Sequence, residues 1–132
     1  LESLASGKGI AERARLVLME SGRARSFCAP EAEEVFAAAR KGEPWALKVV
    51  DETVDYLALG VAAYACLLDP DVIILSGGVS QASDLLVGPI MDRINGVVPF
   101  KPKLVALSLG NRAVLLGAIP MMLHQTIAYP SP

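Results

Sequence analysis

Apolar positions along the chain follow a helical period first and a strand period later. In residues 1–21, Ile10, Ala14, Leu16, Val17 and Met19 alternate with Glu12, Arg13 and Arg15, an amphipathic helical pattern. Ser6-Gly7 interrupts it, which predicts a regular helix starting near Lys8. Residues 22–29 form a basic, polar connector. Residues 30–40 then carry consistent helix punctuation. Pro30 suits the first helical position, and Glu31, Glu33 and Glu34 favour the positive N-terminal end. Arg40 and Lys41 favour the other end, and Gly42 the residue just past it.

Pro44 opens the next helix, predicted over Pro44–Leu68. Val50, Val54, Leu57, Val61, Ala65 and Leu68 recur at steps of three and four and share one face. Charged residues occupy the other face only as far as Asp55, so the second half is expected to be buried all round. Asp69-Pro70 ends the helix. Val72–Leu75 is a short β-branched run between Pro70 and Gly77-Gly78. It predicts a strand buried on both faces, and therefore parallel. A further helix follows Ser80–Ser83, with Leu86, Ile90, Ile94 and Val97 on one face and Pro89 near its first turn. Residues 104–109 predict a second strand. Gly110-Asn111 turns the chain into a last helix over residues 113–123. Strand–helix–strand of this length predicts a parallel α/β unit, with the helices over Pro44–Leu68 and residues 113–123 against the strand pair. Two strands alone make a poor sheet, so further strands are expected upstream of Leu1.

Composition narrows the function classes. With 12 Lys and Arg against 14 Asp and Glu, the net charge is −2, and no basic run exists. Nucleic-acid binding by these residues is not expected, because phosphate backbones demand a concentrated positive face. Cys28, Cys66 and His124 are too scattered to form a structural zinc site, and the cysteines read as reduced core thiols. The longest uncharged apolar stretch, residues 56–68, falls short of the ~20 residues that cross a bilayer. A cytoplasmic protein with no membrane partner is expected.

Chemistry concentrates at Gly77-Gly78, at the carboxyl end of the predicted strand, where α/β sheets bind ligands. Glycine lets backbone approach a ligand closely and tolerates positive φ. The pair alone fits a tight turn equally well. The surrounding segment, "LDPDVIILSGGVS", resembles the ROK (repressor, open reading frame, kinase) family. So do Glu2 followed by Ser6-Gly7 (Glu-x-x-x-Ser-Gly), and Gly42-Glu43-Pro44-Trp45-Ala46, with Glu43 where the family usually has Asp. Leu109-Gly110 followed by Ala113 and Leu116-Gly117-Ala118 is similar to the family's closing strand–turn–helix.

The resemblance implies an α/β chain that is part of an actin-like ATPase (ribonuclease H-like) domain, helix-rich with a parallel strand pair. Residues 1–132 would be the C-terminal part of the family's C-terminal domain, with the N-terminal domain absent from this chain. The implied activity is ATP-dependent phosphorylation of glucose or a related hexose. The alternative is a sugar-responsive repressor, which would need an upstream helix-turn-helix. Glu2 is the implied sugar ligand, a carboxylate able to accept two hydroxyl hydrogen bonds; without the resemblance it reads as a solvated terminal residue. Gly77 and Gly78, with Val79 and Ser80 adjoining, are implied to border the adenosine of ATP, and Gly110 more weakly so.

Mg²⁺ accompanies ATP in such chemistry, and zinc is possible through residues upstream of Leu1. The family's phosphate loop, catalytic Asp and second sugar motif are absent from these residues. The segment alone is therefore expected to be inactive, and the intact protein to be a homo-oligomer. Gly60 and Gly117 are assigned to helix packing, Asp69 and Asp71 to capping and solvent.

Overall fold

The computed structural model describes residues 1–22, 30–107, 118–120 and 122. The chain begins with one helical turn, α1 (Glu2–Ala5), and the interruption at Ser6 is a helix cap. Ser6 has extended backbone, and its hydroxyl accepts the Gly9 N–H at 3.2 Å, starting α2 (Gly7–Glu20). The buried residues of α2 are Ile10, Ala14 and Val17, whereas Leu16 and Met19 lie exposed.

Helix α3 (Ala32–Arg40) starts later than Pro30 suggests. Glu31 is the N-cap, and its backbone N–H donates to the Glu34 carboxylate at 2.9 Å. That reciprocal cap puts Pro30 outside the helix. The other end behaves as predicted. Gly42 (φ 81°) donates to Ala39 O at 2.9 Å and Glu43 donates to Ala38 O at 3.1 Å, a Schellman closure.

Helix α4 spans Pro44–Leu68, with Pro44 in the first turn and Asp69 in the left-handed region (φ 44°) at its end. Val50, Val54, Val61 and Ala65 are buried on the predicted face, joined by Ala46, Val49, Thr53 and Ala58. Thr53 is buried without loss, since its hydroxyl donates to Val49 O at 2.8 Å.

The second half of α4 departs from expectation. Leu59, Tyr64, Leu67 and Leu68 are exposed, and so is Cys66, which is therefore not a core thiol. No described element covers that side, and burial all round requires a neighbour on each side. Cys28 lies outside the described residues.

β1 (Val72–Leu75) pairs in parallel with β2 (Lys103–Ala106), in the register Val72 to Lys103 through Leu75 to Ala106. The pairing is as predicted but burial on both faces is not. Ile73 and Leu75 turn toward the core, while Val72 and Ile74 are exposed, because alternate side chains point to opposite faces and only one is covered.

Between the strands run a 3₁₀ turn (Gly78–Ala82) and α5 (Ser83–Ile94), which buries Leu86, Ile90 and Ile94 and contains Pro89. Each such side chain contributes about 1.5–3 kcal/mol. The helix ends one residue before Asn95-Gly96, and Gly96 takes φ 81°. That break shifts the register, so Val98 is buried and Val97 is exposed. α5 is the helix that packs on β2, while α4 stacks chiefly on α5, α3 and α2. Close packing of α4 on the strand pair is thus replaced by packing through α5. Of the predicted last helix, residues 118–120 and 122 are helical, and the remaining positions lie outside the described residues.

Ion pairs fasten the helices across the core. Arg13 of α2 pairs with Glu52 of α4, Arg93 of α5 with Asp51 and Asp55 of α4, and Arg40 of α3 with Asp84 of α5. No helix among the described residues is long and apolar enough to cross a membrane.

Candidate functional site

The turn after β1 is held by its own chemistry. Gly77 adopts φ 91° and ψ −174°, a conformation that is essentially glycine-only. Its carbonyl accepts both the Ser80 N–H, at 3.2 Å, and the Ser80 hydroxyl, at 2.7 Å. Ser80 is buried, and its side chain locks the turn. Gly78 is exposed, Val79 is half-buried against the core, and a Cβ built on Gly78 meets nothing within 4 Å.

Two cavities meet at this turn. One, of about 660 Å³, lies between α2, α3 and the 3₁₀ turn. Apolar groups of Ala11, Ala32, Phe36, Val79 and Ala82 contribute to its walls. The other, of about 510 Å³, runs from the start of the chain past Leu57 of α4 to Leu75 and residues Gly77–Ser80. Ser6, Gly7, Gly78 and Val79 line both. The fold therefore brings the Ser6-Gly7 junction, at the N-terminus of α2, beside the Gly-Gly turn at the end of β1, although the two lie far apart in sequence.

The larger cavity has one charged clamp. Arg40 lines it and donates to Asp84 through Nε at 2.8 Å and Nη2 at 2.7 Å. The hydrogen-bonded guanidinium holds the Asp84 carboxyl below the usual carboxylate range and is itself raised above the ordinary arginine value by the same bonds. Both groups stay charged at neutral pH, so Arg40 is committed to positioning α3 against α5.

Of the residues singled out from sequence, Gly77, Gly78, Val79 and Ser80 cluster at this turn. Glu2 lies in the backbone of α1, directly before the Ser6-Gly7 junction. Gly110 lies outside the described residues, as do Gly117 and His124. Gly60 packs as assigned, with a Cβ there reaching 3.1 Å from Leu1 Cδ2. Sequence reasoning missed the cavity walls on α2 and α3. Ala32, Phe36 and Arg40 do recur at i, i+4 and i+8, a single helix face, but periodicity does not say whether such a face meets core or cleft. Among the described residues, no group of three or more His, Cys, Asp or Glu is placed to hold a metal ion.

The chain is similar to several known proteins. A protein of Thermotoga maritima named glucokinase is 39% identical over 64 residues, covering 48% of this chain and 20% of that protein. The bifunctional enzyme NanE/NanK of Brucella melitensis is 35% identical over 119 residues, 89% of this chain and 21% of that one. A solved ROK family glucokinase from Streptomyces griseus, in complex with glucose and AMPPNP, superimposes with a TM-score of 0.81 at 27% identity. That match covers 91% of this chain and 43% of that one. A crystal structure from Cytophaga hutchinsonii shares the fold, with a TM-score of 0.81 at 18% identity, over 92% of this chain and 43% of that one. The chain thus spans less than half the length of these relatives, and its helix-rich architecture with a parallel strand pair is part of their actin-like ATPase fold. The family model described as "ROK family" matches residues 1–125, and the chain belongs to that family.

Proposed function

We propose that this chain supplies the nucleotide-facing wall, and one sugar ligand, of an ATP-dependent kinase acting on glucose or a related hexose. One observation carries the reading: the Ser6-Gly7 junction and Gly78-Val79 of the turn line the same two cavities. The relatives named glucokinase, and the Streptomyces griseus structure that holds glucose and AMPPNP, support the same chemistry. Nothing in these names favours the repressor alternative.

The cleft suits the adenosine of ATP. Its open side at Gly78 is the space a Cβ would fill, and Phe36, Ala11 and Val79 offer apolar surface to a planar base. ATP supplies the γ-phosphoryl group that passes to the sugar hydroxyl. Gly78 and Val79 bring backbone against the nucleoside, Gly77 and Ser80 hold that backbone in place, and Glu2 accepts hydrogen bonds from sugar hydroxyls. Mg²⁺ would travel with the nucleotide; no described residue is assigned to it or to zinc. A cytoplasmic location and assembly of several copies complete the reading.

The test is a pair of titrations on the intact protein, with ATP and glucose varied separately. Gly78→Val should raise the ATP requirement and leave glucose affinity in place, because the new side chain enters the cleft at a position free of positive φ. Glu2→Gln should weaken glucose affinity about 10- to 150-fold, the worth of a charge-assisted hydrogen bond, with ATP unaffected. No phosphate transfer from ATP to any hexose by the wild-type protein would overturn the proposal.

A further inference from the structure

Resting on the nucleotide reading above, we infer that Gln81 is the residue that selects the base, its side-chain amide reading the edge of adenine in the 660 Å³ cleft. Gln81 belongs to the 3₁₀ turn that begins at Gly78 and, with Val79 and Ala82 of the same turn, lines the cavity. The neighbouring Ser80 hydroxyl is spent on the Gly77 carbonyl, so the turn is rigid where Gln81 leaves it.

The other polar side chains of the cleft divide by their commitments. Ser6 caps α2, Arg40 is bound to Asp84, and Glu31 belongs to the cap of α3. Among the described residues, the side chains of Lys8, Glu33 and Gln81 have no hydrogen bond or ion pair, and all three are exposed. Lys8 and Glu33 carry full charges, and a neutral base offers neither of them a counter-charge to offset desolvation. Gln81 is the neutral one, and its amide presents a donor and an acceptor side by side.

Adenine presents the complementary pair, an amino donor beside a ring-nitrogen acceptor, and a glutamine amide can engage both at once. Guanine differs at that position. Its carbonyl accepts where the adenine amino group donates, and its Watson–Crick edge offers two adjacent donors. The amide can satisfy guanine only in part, which leaves a polar group unpaired in a cleft with apolar walls. The walls hold any flat base, and Gln81 distinguishes which one.

The experiment compares ATP and GTP as ligands of the intact protein by equilibrium titration, for wild type, Gln81→Ala and Gln81→Glu. Gln81 is exposed and its side chain bonds to no described residue, so both variants should fold as wild type does. Wild type should prefer ATP by about tenfold or more, as one bidentate base contact allows. Gln81→Ala should lose most of that preference while still binding nucleotide. Gln81→Glu should move it toward GTP, since a carboxylate accepts from both guanine donors. An unchanged ATP-to-GTP ratio in Gln81→Ala, or no preference in wild type, overturns the assignment and leaves the nucleotide site standing. Absence of nucleotide binding in wild type removes both readings together.

Discussion

The Arg40 guanidinium at the end of α3 holds the Asp84 carboxylate at the start of α5 in a two-pronged grip, with donor–acceptor distances of 2.8 and 2.7 Å. α3 forms one wall of the larger cavity, and α5 continues directly from the Gly-Gly turn that forms another. The pair therefore ties the α3 wall to the helix that follows the turn. Arg40→Met keeps the aliphatic stem and removes the fork. The ATP requirement should rise several-fold in Arg40→Met and in Asp84→Asn, with glucose affinity unchanged. The double variant should be no worse than either single one, because both remove the same interaction. The effect should shrink in high salt, since the pair is solvent-exposed. ATP kinetics identical to wild type in both variants would mean that the clamp does not position the cleft.

Gly77 and Gly78 stand side by side and should fail differently. Gly77→Ala places a Cβ in open space, but at φ 91° and ψ −174°, so the whole penalty is backbone strain. About 1–3 kcal/mol of stability should be lost, visible as a lower denaturation midpoint with an unchanged slope. Gly78→Ala lies in ordinary backbone and should be close to neutral. Equal stability of the two variants would contradict the conformation of the turn.

The contrast between these glycines shows what local sequence chemistry can reveal. The bounds of α4 and β1 were legible because Pro44, the Asp69-Pro70 stop and the glycines after Leu75 act within a few residues of themselves. Ser6-Gly7 was legible as an interruption for the same reason, and proved to be a cap. The exposure of Leu59, Tyr64 and Ile74 was not legible, because it depends on which elements lie opposite, and hydropathy carries no record of them. The Val97-to-Val98 shift was hidden by an unbroken helical period, when Gly96 at φ 81° had already ended it. In the site, the glycines were visible as backbone signals, whereas Phe36, Ala11 and Gln81 entered through the packing of three separate elements.

Glu52 makes the stability of the chain depend on pH in a defined direction. Its carboxylate accepts from Arg13 of α2, with Nη2 to Oε1 at 2.7 Å, and that hydrogen bond holds its pKa below the ordinary value. A depressed carboxylate contributes stability that is complete above its unfolded value, about 4.3, and lost as pH falls through the lower folded value. Glu52→Gln should cost about 1 kcal/mol at neutral pH. The gap from wild type should close as urea unfolding is repeated from pH 5 downward. A gap that stays constant to the lowest pH would show that the charge on Glu52 contributes nothing.

Gly9 offers a test of whether α1 must sit where it does for sugar binding. A Cβ at Gly9 would stand 2.5 Å from the Ser3 carbonyl oxygen and 2.8 and 2.9 Å from the carbonyl carbons of Ser3 and Leu4. These are backbone atoms of α1 and cannot turn aside as a side chain can. Replacing a helix glycine with alanine ordinarily stabilises by about 0.8–1 kcal/mol. Here overpacking should reverse the sign, at a cost of about 1–3 kcal/mol, or push α1 off α2. Either outcome displaces Glu2, which α1 carries, so Gly9→Ala should weaken glucose binding more than ATP binding. Gly60→Ala is the matched control. Its Cβ would meet only the end of the Leu1 side chain, at 3.1 Å, and that chain can rotate away. Glucose affinity should survive Gly60→Ala and fall in Gly9→Ala. If Gly9→Ala were more stable than wild type and bound glucose equally well, the packing of α1 on α2 would have no part in holding Glu2.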